Sequence, residues 1–568
     1  MIRSLKLTVL LPVLFLAMSS LTFGQGTSKQ EESPKNWHQL DLSTTGYYGI
    51  SLDKAYDFVK DKKSKQVVVA VIDSGVDTLQ EDLKPVLWHN PKEIPGNGID
   101  DDHNGYVDDV YGWNFIGGKD GRNLKEDSDE GSRVYYKLKA KYGENLPDPA
   151  TLSPEQRTEV EMYKKAKQKI EGDSDAGIDL LFLKKVNNAL HKSDSILQLA
   201  MGRPVFTGKE LDEFKPQLPE VVKAKNMFFG FQKANNSLDD TNQEFLEDFD
   251  DYINGEERKD IAKNKIPKNY RADIVKDDES NINDMYYGNK DVMAGTPFHG
   301  THVSGIIAAA RHNGKGIDGI ADNVKIMMIR AVPDGDEHDK DIANAIKYAV
   351  NNGAQIISMS FGKDFSPQKA WVDDAVRYAE SNGVLMVHAA GNDNKDIDTT
   401  DNFPNPVYAD GKGRSNTFIT VGASGDPSNG GITASFSNYG KNEVDVFAPG
   451  VKIYSTAPGG NNYRKASGTS MAAPVVAGVA AFLLEYYPDL SARQLKYVIE
   501  KSATPIKEKV KLPGTDEMVE LSDISKSGGI VNAYEAAKLA STLKGERTMK
   551  PQQVKLPVPT IGKKQKKG

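Results

Sequence analysis

The feature that most constrains this chain is "VVVAVID", residues 67 to 73, an unbroken run of β-branched and small apolar residues with no polar alternation. Successive side chains of a strand point to opposite faces, so a strand with one wet face alternates, and a run that does not alternate is covered on both faces, as in a parallel sheet. Similar runs recur at "VKIMMIRAV" (324–332), "QIISMSFG" (355–362), "VLMVHAAGN" (384–392) and "TFITVGA" (417–423). Between them lie the helical patterns "DKDIANAIKYAVNNG" and "SPQKAWVDDAVRYAESNG", the latter opening on Ser366 and Pro367 and ending before Gly383. Such alternation predicts an α/β fold with a mostly parallel central sheet. Ligands of these sheets sit beyond the C-terminal strand ends. Here those ends are Asp73, Ser360 to Gly362, and Ala389 to Asn392.

The alternation fails between residues 119 and 285. That stretch is charge-rich, carries helix starts of the capping-box type at "SPEQ" (153–156) and "TGKE" (207–210), and repeats apolar residues in "AGIDLLFLKKVNNALHKSDSILQLAM". It reads as a large helical insertion. The α/β domain is thereby split into residues 60–118 and 286–545, preceded by a lead-in at 25–59 and followed by a Pro- and Lys-rich tail at 546–568, expected to be solvated and flexible.

Residues 1–24 have Arg3 and Lys6 ahead of an apolar run and then the small residues Thr22 and Gly24, the pattern of a cleaved export signal. The alternative, a retained membrane anchor, is disfavoured because Pro12 and Ser19–Ser20 interrupt a run barely long enough to span. The expected location is secreted or periplasmic, with no stable membrane span once the signal is removed. The chain has no cysteine, which excludes disulfides, thiolate nucleophiles and cysteine zinc sites. Its formal charge of -8 is mixed along the chain, so nucleic acid is not an expected partner.

"GTPFHGTHVSGIIAAA" (295–310) places His299 and His302 three apart where a loop becomes an apolar helix, a pair that suits either a metal or a base. "YRKASGTSMAAPVVAGVAAFLLEYYPDL" (463–490) places Ser470 at the opening of a second helix whose first turn is built from small residues. A serine hydroxyl is a weak nucleophile that needs a base, and the base needs an acid to orient it. Asp73, His299 and Ser470 could supply the three roles. No HExxH pattern accompanies the histidines, so His302 is expected to be a packed structural residue.

"VIDSGVD", "HGTHVSGIIAA" and "SGTSMAAPVVAG" together resemble the active-site motifs of the subtilisin-like serine proteases, in that family's chain order of Asp, His and Ser. The resemblance covers roughly residues 60–118 and 286–540 and leaves out the insertion and the tail. It implies a three-layer subtilisin-like fold and a peptide-hydrolysing enzyme acting on proteins or peptides. Asp73, His299 and Ser470 would be the triad. Asn392 in "AAGN", with the backbone N–H of Ser470, would form the oxyanion hole. Ser360, Phe361 and Gly362, facing Ala389, Ala390 and Gly391, would line the pocket for the side chain before the scissile bond and pair with extended substrate backbone. Phe361 in the wall would favour apolar substrates.

"NGIDDDHNGYVDDVYGWNF" sets Asp100, Asp102, Asn104, Tyr106 and Asp108 at positions 1, 3, 5, 7 and 9 of an EF-hand-like loop, with Gly105 at the sharp turn. Tyr111 stands where a bidentate Glu is usual, so Asp109 or a more distant carboxylate must substitute if calcium binds. The other reading is an acidic turn cluster. Structural calcium is the favoured one, since oxygen ligands suit a hard cation and a cysteine-free exported protein gains stability from it.

The lead-in is too short for the folded inhibitory pro-domain of many family members. The insertion is one candidate replacement, as a lid over or beside the cleft; a peripheral decoration is the other. Two rival functions are a retired, non-catalytic relative of a protease and an esterase. The first would show an altered triad, and the second a GxSxG elbow where this chain has "GTSMA".

Overall fold

Strand β1 (Val67–Asp73) sends Val67, Val69 and Val71 into one apolar core and Ala70 and Ile72 into a second, so both of its faces are covered. After the short strand β2 (Gly112–Asn114), β3 (Val324–Arg330) divides in the same way, with Ile326 and Met328 on the first side and Met327 and Ile329 on the second. Strands β4 (Ile356–Met359), β5 (Leu385–Ala389), β6 (Phe418–Asp426) and β7 (Val446–Pro449) extend the sheet. Strands β8 (Ile453–Ala457) and β9 (Asn462–Ala466) form a separate antiparallel ribbon, and the short β10 (Thr504–Pro505) and β11 (Gly529–Ile530) close the far edge of the sheet. In this computed structural model, which describes residues 33–547 apart from 173–179, 236, 239, 296, 427 and 428, the order across the sheet is β10-β11-β7-β6-β5-β4-β1-β3-β2. Every neighbouring pair in that order is parallel except β10 with β11. The export signal and nearly all of the tail fall outside the described residues.

Helices cover both faces, giving the three layers. Helix α1 (Leu52–Val59) belongs to the lead-in. Helices α2 (Glu130–Tyr142), α3 (Pro154–Glu171), α4 (Leu180–Met201), α5 (Gly208–Glu213), α6 (Pro219–Ala234), α7 (Asn242–Asn264) and α8 (Tyr270–Ile274) occupy the region where the strand pattern fails. Beyond them, α9 (Phe298–Ala308) packs in the first core, α10 (Asp339–Asn351) and α11 (Lys369–Ser381) in the second, and α12 (Thr469–Tyr486), α13 (Ala492–Lys501) and α14 (Ala533–Ser541) in the first again. Helix α12 is long and apolar enough to cross a membrane, yet 94% of it is buried, so it is the core helix of the first layer.

The capping boxes at Ser153–Gln156 and Thr207–Glu210 both form, and a third, Thr241–Glu244, starts α7. Ser366 does not cap α11: Gln368 holds that position without a side-chain bond, and the Ser366 hydroxyl donates 3.0 Å to Asp339 on α10. The pull of a buried carboxylate outweighs the local cap.

β1 lies between β3 and β4. The chain therefore leaves β1 to one side and later returns to its other side, which opens a crevice at the C-terminal end of β1. Asp73 sits there.

Candidate active site

The Asp73 carboxylate is buried, and its Oδ1 accepts the backbone N–H of Ser74 (2.7 Å) and Nδ1–H of His299 (2.8 Å), with Oδ2 3.0 Å from the same nitrogen. A carboxylate can only accept here, so Nδ1 carries the proton and the neutral ring leaves Nε2 with the lone pair. Nε2 is buried and has no hydrogen-bond partner, which leaves it available to a substrate-side proton. The approach of α9 to the β1 turn depends on Gly300: a Cβ there would lie 2.1 Å from the Gly75 carbonyl oxygen and 3.2 Å from the Asp73 Cβ.

Beneath the turn, Arg330 at the end of β3 is fully buried. It donates Nε–H to Ser74 O (2.9 Å), NH1 to Asn114 Oδ1 (3.1 Å) and NH2 to Leu124 O (2.5 Å). Burial pulls its guanidinium down to about 10. One side chain thus ties the Asp73 turn to two loops, and the only sequence signal for it is a cation closing an otherwise apolar run, "MMIRAV".

Ser470 is the second residue of α12 and 3% exposed. Its hydroxyl donates to the Ser360 carbonyl (3.1 Å), while the Ser360 hydroxyl donates to the Ser470 carbonyl (2.9 Å). Asn392 accepts at Oδ1 from Thr469 N–H (2.8 Å) and from the Thr469 hydroxyl (3.0 Å). A backbone N–H only donates, so the amide oxygen is fixed and Nδ2 is the group left to donate. A Cβ built on Gly468 would lie 3.5 Å from Ser470 N and 3.6 Å from Asn392 Nδ2, so these two donors flank one point in space beside the serine. Positive charge density at the start of α12 adds to the same point.

His302 is fully buried and donates Nε2–H to the Arg464 carbonyl (2.9 Å); burial draws its pKa down to about 3, so it is neutral. It packs, as the sequence suggested.

Ser360, Ala389 and Ala390 are buried, while Gly362 and Gly391 are partly open. Phe361 does not form an apolar wall: it is 2% exposed, packs in the second core and meets His388 edge-on at 6.2 Å. A residue one step along the chain from a pocket-lining glycine faces the opposite side of the extended backbone. Asn402 stands closer to the two glycines. Its Nδ2 donates to the Ala390 carbonyl (2.9 Å), and its Oδ1 would lie 2.6 Å from a Cβ on Gly362 and 3.8 Å from one on Gly391. The side chain therefore stands between the two strand ends. Nothing in "DNFPN" marks it in advance.

The acidic loop is rearranged relative to the EF-hand expectation. Glu93 joins Asp100 and Asp102, with one oxygen from each within 4.8 Å of the others. Asp108 turns away to Lys290 (2.7 Å) and to the N–H groups of Gly96 and Gly98. Asn104 Oδ1 accepts the Tyr106 N–H, and its Nδ2 donates to Asp109, whose buried carboxyl is pushed up to about 7. The Tyr106 ring is buried among Trp113, Phe115 and Tyr348. Glu93 lies before the loop, outside any position an EF-hand pattern assigns.

A family model described as the subtilase family matches residues 64–520. The chain belongs to the subtilase family. Among its relatives, the thermophilic serine proteinase of Bacillus sp. (strain AK1) is 44% identical over 186 residues, 33% of this chain and 42% of that protein. Subtilisin DY of Bacillus licheniformis is 38% identical over 208 residues, 36% of this chain and 70% of that protein. Thermitase of Thermoactinomyces vulgaris is 36% identical over 241 residues, 42% of this chain and 75% of that protein. This subtilase thus spans less than half of the first relative and at least 70% of the other two.

Proposed function

We propose that this subtilase is an exported serine endopeptidase that cleaves peptide bonds in proteins. The observation that carries the reading is the Asp73–His299 pair, which leaves a buried, unpartnered Nε2 in the crevice that also holds Ser470. Ser470 Oγ attacks the peptide carbonyl and His299 Nε2 takes its proton, later giving it to the leaving amine. Asp73 stabilises the imidazolium and fixes its tautomer. The Ser470 N–H and Asn392 Nδ2 receive the oxyanion. In the resting geometry the Ser470 hydroxyl is bonded to Ser360 O, so it turns toward His299 when substrate enters, consistent with catalytic bonds that tighten only in the complex. Export rests on the pattern of residues 1–24.

Asn402 narrows the pocket before the scissile bond and offers an amide oxygen, which favours small side chains there over large aromatic ones. Glu93, Asp100 and Asp102 would hold a calcium ion, for which three carboxylates are a fitting hard-oxygen set. Burial and the neighbouring Asp102 and Asp101 carboxylates raise the Glu93 carboxyl, a crowding that a cation relieves. Its contribution would be stability of the loop, with no part in the bond cleavage.

The insertion reads as a lid held at both rims of the cleft. On one rim, Arg464 of β9 lies 5.0 Å over the Phe298 ring, next to His299, and pairs with Asp248 and Glu244 of α7. On the other, Lys363, next to Gly362, pairs with Glu130 of α2 (2.9 Å), and Phe365 packs against α2 and α3.

The test is hydrolysis of a mixed peptide library by purified protein, beside Ser470→Ala and a chelator arm. Turnover that disappears with Ser470→Ala supports the mechanism. Turnover that survives it refutes the mechanism. A thermal midpoint unmoved by chelation followed by calcium would remove the metal.

A further inference from the structure

Helix α12 contains a proline in its second turn, Pro474, four residues after Ser470. In a regular α-helix the N–H of residue 474 would donate to the carbonyl of residue 470, and proline has none. The Ser470 carbonyl is therefore without its helical donor at the residue that must be held most accurately. The Ser360 hydroxyl fills that place at 2.9 Å, from a residue immediately after β4 that is itself 1% exposed. The return bond from the Ser470 hydroxyl to the Ser360 carbonyl, 3.1 Å, makes the contact reciprocal.

We propose that Ser360 is a positioning residue, whose hydroxyl stands in for the missing N–H of Pro474 and locks the first turn of α12 onto the sheet. The inference rests on the reading of Ser470 as the nucleophile. Its physical content is that α12 would otherwise be anchored in this turn chiefly through Thr469, which bonds Asn392 Oδ1 and accepts the Gly391 N–H at 3.0 Å. Those bonds fix the residue before the nucleophile. The Ser360 bond fixes the peptide plane that follows the nucleophile; together with the Thr469 bonds on the preceding side it holds the Ser470 Cα, from which Oγ and the N–H next to Asn392 take their directions. Loss of this bond removes the donor that stands in for the Pro474 N–H, and the turn relaxes.

The substitution Pro474→Ala supplies the N–H and makes the Ser360 hydroxyl redundant, which turns the idea into a double-mutant cycle. We would measure kcat, KM and the rate of labelling by a fluorophosphonate probe for wild type, Ser360→Ala, Pro474→Ala and the double variant. Ser360→Ala is expected to lower kcat about 10- to 100-fold with KM changed less than about threefold, the mark of a misplaced reacting group rather than weaker binding. In the Pro474→Ala background the same change is expected to cost less than about threefold. Equal losses in both backgrounds, no loss, or a loss confined to KM would overturn the proposal. If Ser360→Ala alone fails to fold while the double variant folds, the coupling is shown by stability instead; if both fail, Ser360 has a different role and the proposal falls. Wild-type protein that neither turns over nor labels would overturn the nucleophile reading, and this inference with it.

Discussion

The molecule contains two kinds of architecture joined at one crevice. The sheet domain is held by apolar burial on both faces of every central strand, and the buried Asp73, His302, Arg330 and Ser470 are set into it. The insertion has a small core of its own, Leu183, Leu190, Phe206, Phe228 and Phe249 among its residues. Toward the sheet domain it offers mostly ion pairs, such as Lys165–Asp401, Lys169–Asp364, Arg258–Asp334 and Arg464–Asp248. Partly exposed pairs of this kind contribute roughly 0–1 kcal/mol each. Buried links are the exception, among them Lys340 with Asp277 and His338 with Asp127. Arg271 lies between Asp277 and Asp341, and Glu130 meets Lys363. The difference teaches that the candidate catalytic side chains sit where the structure cannot yield, and the proposed lid is attached where it can.

The sharpest way to break that comparison is at the oxyanion site. Asn392→Ala is expected to lower kcat by about 10²–10³-fold with KM little changed, a magnitude measured on subtilisin itself. Full kcat in that variant would mean that Asn392 Nδ2 does not face the reacting carbonyl, and the sheet domain would lose one of its two proposed oxyanion donors.

The second prediction separates the regions. Replacing residues 131–268 by a short Gly/Ser loop keeps the buried Glu130 with Lys363 and Arg271 with Asp277 and Asp341, and leaves Arg464, which loses Asp248 and Glu244, on a rim opened to water; the ends to be joined are close because Glu126 is hydrogen-bonded to Tyr270. Hydrolysis of short peptides is expected to stay within about threefold, while folded protein substrates are cut about tenfold faster or more, since only a large substrate must displace a lid. Raising salt or substituting Arg464→Gln should move the intact protein in the same direction, because exposed ion pairs are screened. Identical protein cleavage with and without the insertion would reduce it to decoration.

A smaller effect is expected at the pocket. Asn402→Gly should raise turnover of peptides with an aromatic residue before the scissile bond by roughly tenfold relative to those with alanine. An unchanged ratio would mean that Asn402 is not in the pocket.

How much of this was legible in the sequence follows from how local each signal is. β1 and β3 announce themselves because burial on both faces removes alternation over seven residues, and the proposed triad is readable because each of its members sits inside a short motif. The insertion's capping boxes are four-residue patterns, and they form. What escaped is long-range. Glu93 reaches the acidic loop from outside its pattern, Arg330 gathers segments more than two hundred residues before it, and Asn402 comes between the two strand ends from a loop with no regular period. Phe361 packs in the second core instead of the cleft because a short extended segment does not say in its sequence which face meets the cleft.

The last prediction concerns α12, which runs from the candidate site into the first core. Glu485 lies near its C-terminal end, fifteen residues from Ser470 and so roughly 22 Å away along the axis. It is fully buried; burial first, then its bond and charge contact with Asp322, push its carboxyl up to about 9. The folded state therefore keeps a proton that the unfolded chain releases near 4.5. This favours folding below the lower value, and the advantage is lost as pH rises toward the upper one. Glu485→Gln removes the titration while keeping the shape and the acceptor for the Asn323 N–H at 2.9 Å. The thermal midpoint of the variant relative to wild type should thus climb between about pH 5 and pH 9 and level off above, with peptide turnover at neutral pH unchanged. A midpoint difference that stays flat across that range would show that Glu485 is ionised in place, and that the core under the active site carries a charge that its apolar surroundings give no reason to expect.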